Sequence, residues 1–175
     1  MFKNINILKL FFEEPTREFN VREVARLIKI SPATASKELK NFVKEELLKE
    51  RKEKIFNFYK ANLESDAYTD LKTYYNVRKI KESGLLAAIN KDYLKPTVVL
   101  FGSAASGLDT ETSDIDLLII SDFLTIEFKE LKRFEAKLKK KIQILNFRDI
   151  KEIKNEHLVN NVLNGITIQG KVKWI

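Results

Sequence analysis

The strongest constraint on this chain lies between Val98 and Ile120, in the segment Val-Val-Leu-Phe-Gly-Ser-Ala-Ala-Ser-Gly-Leu-Asp-Thr-Glu-Thr-Ser-Asp-Ile-Asp-Leu-Leu-Ile-Ile. Two short apolar runs, rich in β-branched residues, flank a stretch of Gly, Ser, Thr and Asp. Neither run approaches the roughly 20 apolar residues needed to span a bilayer. Both are too continuous to alternate between core and solvent. They predict buried strands over 97–101 and 114–120, in a small mixed β-sheet with flanking helices.

The connecting stretch has the composition of a phosphate and cation site. Gly102 lets backbone approach an anion closely, and Ser103 offers a hydroxyl to a phosphate oxygen. After an interval of ten residues come Asp114 and Asp116. Two carboxylates at i and i+2 of a strand share one face, where they can hold divalent cations beside a triphosphate.

This segment closely resembles the minimal nucleotidyltransferase family of the DNA polymerase β superfamily, and the resemblance extends over about residues 85–175. The closing run His157-Leu158-Val159-Asn160-Asn161-Val162-Leu163-Asn164-Gly165-Ile166-Thr167-Ile168-Gln169-Gly170-Lys171 is similar to the end of that family's domain. The resemblance implies that Gly102 and Ser103 bind a nucleoside triphosphate, and that Asp114 and Asp116 hold Mg²⁺. It also implies a third carboxylate on a later strand. Here that strand reads Lys-Ile-Gln-Ile-Leu-Asn-Phe, and the matching position is Gln143. An amide accepts a hydrogen bond but cannot take a proton or neutralise a dication. Ser106 stands where the family pattern has a basic residue. Nucleotide and Mg²⁺ binding with weak transfer is the expectation.

Upstream, hydrophobic spacing predicts helices over 5–12, 21–28 and 32–46. Asn20 caps the second helix and Ser31 the third, with Pro32 at its first position. Residues 47–60 alternate as two strands joined by a charged tip. Helices follow over 64–83 and 85–94, and then, beyond the first strand, over 128–140 and 149–164. A strand is expected over 142–147, and 165–168 begins a short terminal strand or extended tail. The order helix, helix, helix, two-stranded ribbon over about residues 5–62 resembles a winged helix-turn-helix. That resemblance implies double-stranded DNA as partner. Thr34, Ser36, Lys37 and Lys40 would face the major groove, and Arg51, Lys52 and Lys54 of the wing would face the backbone.

Charge agrees with that division. The chain carries 32 Lys+Arg against 25 Asp+Glu, a formal +7. Residues 1–62 hold 14 basic and 9 acidic side chains, whereas 96–175 hold 12 and 11. The absence of cysteine removes disulfides, thiol nucleophiles and Cys-ligated metal centres, and a single histidine removes a multi-histidine site. Met1–Asn4 does not begin a signal peptide.

The resulting expectation is a two-domain α/β (α+β) protein in the cytoplasm, with no membrane partner. It places a DNA-binding domain at 1–62, a helical linker at 63–84 and a nucleotidyltransferase-like domain at 85–175. The alternative is an active nucleotidyltransferase that transfers a nucleoside monophosphate to a protein or small-molecule hydroxyl, as an antitoxin to a helical toxin partner. A homodimer is a further candidate assembly, with Tyr74 and Tyr75 as core or dimer contacts. Lys137, Lys139, Lys140 and Lys141 read as a solvated helix end or a phosphate-attracting run. His157 reads as exposed, and Trp174 as packing or an interface anchor.

Overall fold

A computed structural model describes residues 5–123 and 128–173. The chain forms two compact units, residues 1–72 and 73–175. Both mix helices with a sheet. No helix among the described residues is long and apolar enough to cross a membrane.

The first unit contains α1 (Ile5–Glu13), β1 (Phe19–Asn20), α2 (Val21–Ile28), α3 (Pro32–Lys44), β2 (Leu48–Glu53) and β3 (Phe56–Ala61). The helix starts follow from local chemistry. The Asn20 side chain accepts a hydrogen bond from the Glu23 N–H at 2.9 Å, and the Ser31 hydroxyl accepts one from the Thr34 N–H at 3.0 Å. Each satisfies a backbone donor that the first helical turn leaves unpaired. Helix α3 stops at Lys44, short of the expected Glu46, because Glu46 turns left-handed (φ 60°) and breaks the ladder.

The strands form a three-stranded antiparallel sheet in the order β1-β3-β2. Strands β2 and β3 pair from Leu48↔Ala61 to Glu53↔Phe56, leaving Lys54-Ile55 as the tip. Strand β1 is two residues long, and Phe19 and Asn20 pair with Tyr59 and Phe58 of β3. Phe11, Phe19, Val24, Ala35, Leu39 and Tyr59 are fully buried. The Tyr68 hydroxyl donates to the Phe11 carbonyl at 2.8 Å inside this unit.

Helix α4 (Asp66–Ser83) begins in the first unit and continues into the second. The second unit then runs α5 (Leu85–Tyr93), β4 (Thr97–Phe101), β5 (Ile115–Ile120), α6 (Leu131–Leu138), β6 (Ile142–Phe147), α7 (Glu156–Leu163) and β7 (Ile166–Gln169). Its sheet has the order β6-β5-β4-β7. β4 is antiparallel to β5 and β7, while β5 and β6 are parallel and joined through α6. This is the mixed sheet with flanking helices that the apolar runs predict.

Strand alternation separates two cores. Val98, Leu100, Ile115, Leu117 and Ile119 pack with α5 and α6 on one face. Val99, Phe101 and Leu118 pack with Ile150, Ile153 and Val162 on the other. The expected helix over 149–164 is interrupted. A 3₁₀ turn at Ile150–Glu152 precedes α7, and Asn155 caps α7 by accepting from the Leu158 N–H. Burial of Ile150 and Ile153 against the sheet takes precedence over continuous helix.

Replacing Asn20 with Ala should lower the stability of the first unit by about 1 kcal/mol, because the Glu23 N–H loses its acceptor. Urea unfolding followed by circular dichroism measures this. An unchanged midpoint would mean water replaces the cap without loss.

Candidate functional site

Phe101, at the end of β4, pairs with Asp116 of β5, and Asp116 pairs on its other side with Gln143 of β6. Paired residues on adjacent strands share a face. Phe101, Asp116 and Gln143 therefore lie side by side on the sheet face that carries Leu118. Beyond Phe101 the chain turns at Gly102, whose φ is +69°, into a single 3₁₀ turn over Gly102–Ala104.

Gly102 is required twice over. Its left-handed φ is strained for a side-chain-bearing residue. A Cβ there would also stand 2.5 Å from Asp116 Oδ2. The Asp116 carboxylate thus occupies the space a side chain would have filled. Ser103 follows, half-buried, and its hydroxyl makes no hydrogen bond among the described residues. Its carbonyl accepts from the Leu108 N–H at 3.0 Å and from the Ser106 hydroxyl at 3.2 Å. Ser106, which stands in place of a basic residue, therefore supports the turn.

Asp114 lies just before β5, outside the strand on which the sequence pattern placed it, because the β5 ladder begins where the Ile115 N–H donates to the Lys141 carbonyl. It is exposed, yet close enough to act on Asp116. Burial, and secondarily the charge of Asp114, holds the Asp116 carboxyl above its ordinary pKa. Burial and a like charge both disfavour the ionised form. Gln143 is exposed beside them and adds no charge. Asp122 and Asp149, the alternative acids, are exposed outside the strands, and the Asp149 carboxylate accepts from the Lys151 N–H at 2.8 Å.

No cluster of three His, Cys, Asp or Glu side chains suited to a metal ion occurs among the described residues. Asp114 and Asp116 alone fit a cation that takes its remaining oxygens from a phosphate ligand, as Mg²⁺ commonly does. They do not amount to an all-protein cage.

In the first unit, Lys37 and Lys40 on α3 and Lys52 and Lys54 on the β2–β3 ribbon are exposed, with no ion pair among the described residues. Arg51 differs. Its guanidinium bonds Glu18 and Glu53 at 2.6 Å each and lies 5.0 Å from the centre of the Phe58 ring. The Thr34 hydroxyl bonds Ser31 at 2.8 Å, and Ser36 is half-buried. Sequence reasoning passed over Arg22 and Arg26, which with Asn20, Glu23 and Phe56 line an open cavity of about 330 Å³. Their i, i+4 spacing on the exposed face of α2 was the available signal. His157 is exposed, Tyr74 is half-exposed, and Tyr75 packs near Lys79. Trp174 lies outside the described residues.

The Asp116 carboxyl has a pH signature. Its folded pKa is raised above the unfolded value, so ionisation costs stability at neutral pH and costs nothing once it is protonated. Without divalent cation, Asp116→Asn should raise the thermal midpoint at pH 7. That gain should fade as pH falls through the folded pKa towards the ordinary aspartate value. A gain independent of pH would contradict this electrostatic origin.

No curated protein matches the chain. Residues 82–167, which include Gly102, Asp114, Asp116 and Gln143, match the family model of the nucleotidyltransferase domain, and this stretch is similar to such domains.

Proposed function

We propose that the second unit binds a nucleoside triphosphate with Mg²⁺ and transfers its nucleotide slowly or not at all. The Asp116 carboxylate lying against the bare Cα of Gly102, with Gln143 as its strand neighbour, carries this reading. The Asp116 carboxylate fills the side-chain position at Gly102, so phosphate oxygens would reach the turn beside it, at the Ser103 backbone and hydroxyl. The Ser103 hydroxyl donates to one of them. Asp114 and Asp116 hold the cation. When bound, Mg²⁺ supplies positive charge that neutralises the triphosphate and polarises its phosphorus–oxygen bonds. Gln143 can orient an acceptor hydroxyl by accepting its hydrogen bond, but it cannot remove the proton.

The first unit, in this reading, is a winged helix-turn-helix that binds double-stranded DNA and regulates transcription. Its element order and β1-β3-β2 sheet support it, as do the unpaired Lys37, Lys40, Lys52 and Lys54. Arg51 contributes less than neighbouring lysines, since two carboxylates already neutralise it.

Titration with ATP, GTP, CTP and UTP in the presence of Mg²⁺ tests the second unit. At least one should bind, and Asp116→Asn should weaken it by about tenfold or more, or roughly 1.4 kcal/mol. If no nucleotide binds, or binding is indifferent to Asp114→Asn and Asp116→Asn, the reading fails. Transfer of radiolabelled α-phosphate should be slow and should rise in Gln143→Asp. Brisk transfer by the wild type would favour the active-transferase alternative.

For the first unit, DNA affinity should fall with salt at a log–log slope of about −0.9 per phosphate contact. Lys52→Ala with Lys54→Ala should flatten that slope more than Arg51→Ala does. An unchanged slope in the folded double variant would remove the ribbon from the interface.

A further inference from the structure

Residues Gly102–Asp114 form a long connection between two sheet-centre strands, and its two ends must deliver Ser103 and Asp114 to one place. A connection of this length has many conformations when untethered. Two buried polar side chains, Asp109 and Asn76, and the mostly covered Lys140 restrain it. Asp109 is 1% exposed. Its Oδ2 pairs with Lys140 Nζ at 2.7 Å, and its Oδ1 accepts from Asn76 Nδ2 at 2.7 Å.

Each partner of Asp109 also ties one end of the connection. Asn76 Nδ2 donates to the Ala104 carbonyl at 2.9 Å, next to Ser103, and the Thr73 hydroxyl donates to the Ala105 carbonyl at 3.2 Å. Lys140 Nζ donates to the Thr110 carbonyl at 2.6 Å and lies 3.4 Å from that of Ser113, next to Asp114. Between these ties, Ser113 and Thr110 close a tight turn, with the Thr110 N–H donating to the Ser113 hydroxyl at 2.9 Å. The ammonium of Lys140 thus meets a carboxylate and backbone carbonyls while its side chain is only 12% exposed. Lys140 therefore belongs to the interior, unlike the solvated run in which it sits.

We propose that Lys140, Asp109 and Asn76 are positioning residues for the triphosphate site: they hold both ends of the Gly102–Asp114 connection so that Ser103 and Asp114 are set before a ligand arrives. This rests on the reading of the site given above. None of the three touches the ligand. They act by removing alternative loop conformations, whose loss would otherwise be charged to binding. Groups bonded directly to metal ligands govern affinity by about 10–100-fold, and these three act one step further out, through the backbone next to Ser103 and Asp114.

The test uses the full chain well below its unfolding temperature, with Lys140→Met and Asn76→Ala. Asn76→Ala leaves the ion pair in place and provides the folded variant if Lys140→Met does not fold. Two readouts are taken: affinity by calorimetry for whichever of ATP, GTP, CTP and UTP the wild type binds most tightly with Mg²⁺, and backbone amide exchange without ligand. The expected result is a loss of affinity of roughly tenfold or more. Exchange should be faster across Ser103–Ser113 and unchanged at Val98–Leu100. A merely structural role would speed exchange in the strand as well and leave affinity intact while the protein stays folded. Unchanged exchange in the connection, or unchanged affinity, in a folded variant overturns the proposal. If the wild type binds none of the four nucleotides with Mg²⁺, the functional reading fails, and the exchange comparison still decides whether the three residues order the connection.

Discussion

The second unit is organised around a close approach: the Asp116 carboxylate sits where Gly102 has no side chain. That approach requires β4 and β5 to be antiparallel neighbours in the Phe101↔Asp116 register. The register in turn follows from alternation, since Leu117 and Ile119 must face one core and Leu118 the other. A slip by one residue would turn Asp116 into the α5–α6 core and bring apolar side chains to the turn. Burial of the strands thus fixes where the acid stands, and the burial and like charge that it suffers there make a cation a natural counterpart.

Both units carry exposed ion pairs, Arg78 with Glu82 and Arg133 with Glu130 in the second, and each also buries charge, Lys72 in the first. In the second, one pair is drawn inward: Asp109 is buried against the mostly covered Lys140, a costly arrangement that persists only with full hydrogen bonding. In the first, most charge is exposed. Arg17 bridges Glu14 and Glu23, Lys49 meets Glu64, and Arg51 meets Glu18 and Glu53. Such surface pairs contribute little stability. Their consequence is subtractive, for they lower the positive potential of Arg51, whereas Lys52 and Lys54 of the ribbon tip make no ion pair among the described residues.

Much of the fold was legible because periodicity and capping report local geometry. Asn20 and Ser31 carry the side-chain oxygens that a helix start needs, and both act as caps. Val98–Phe101 and Leu117–Ile120 are short, continuous apolar runs bounded by turn residues, the pattern of interior strands. The two-residue β1 left no signal, since Phe19 and Asn20 become a strand only by pairing with β3, far along the chain. Long-range charge partners were equally invisible. Nothing in Lys139-Lys140-Lys141 distinguishes the one lysine that turns inward to Asp109, and nothing near Arg51 points to Glu18. Gln143 could be aligned by its strand, but its place beside Asp116 depends on the parallel β5–β6 pairing through α6. The start of the β5 ladder at Ile115, one residue later than expected, leaves Asp114 outside the strand; it depends on the Lys141 carbonyl and was hidden for the same reason.

The central claim is that the site has the acids for one cation held with a triphosphate and lacks the third charge for another. Counting Mn²⁺ bound per chain by electron paramagnetic resonance, with a saturating non-hydrolysable nucleoside triphosphate analogue, tests it most directly. Mn²⁺ bound to the analogue free in solution is subtracted. The account predicts one tightly held ion in the wild type and a second in Gln143→Asp. Two tight ions in the wild type, or none that depends on Asp116, would contradict it.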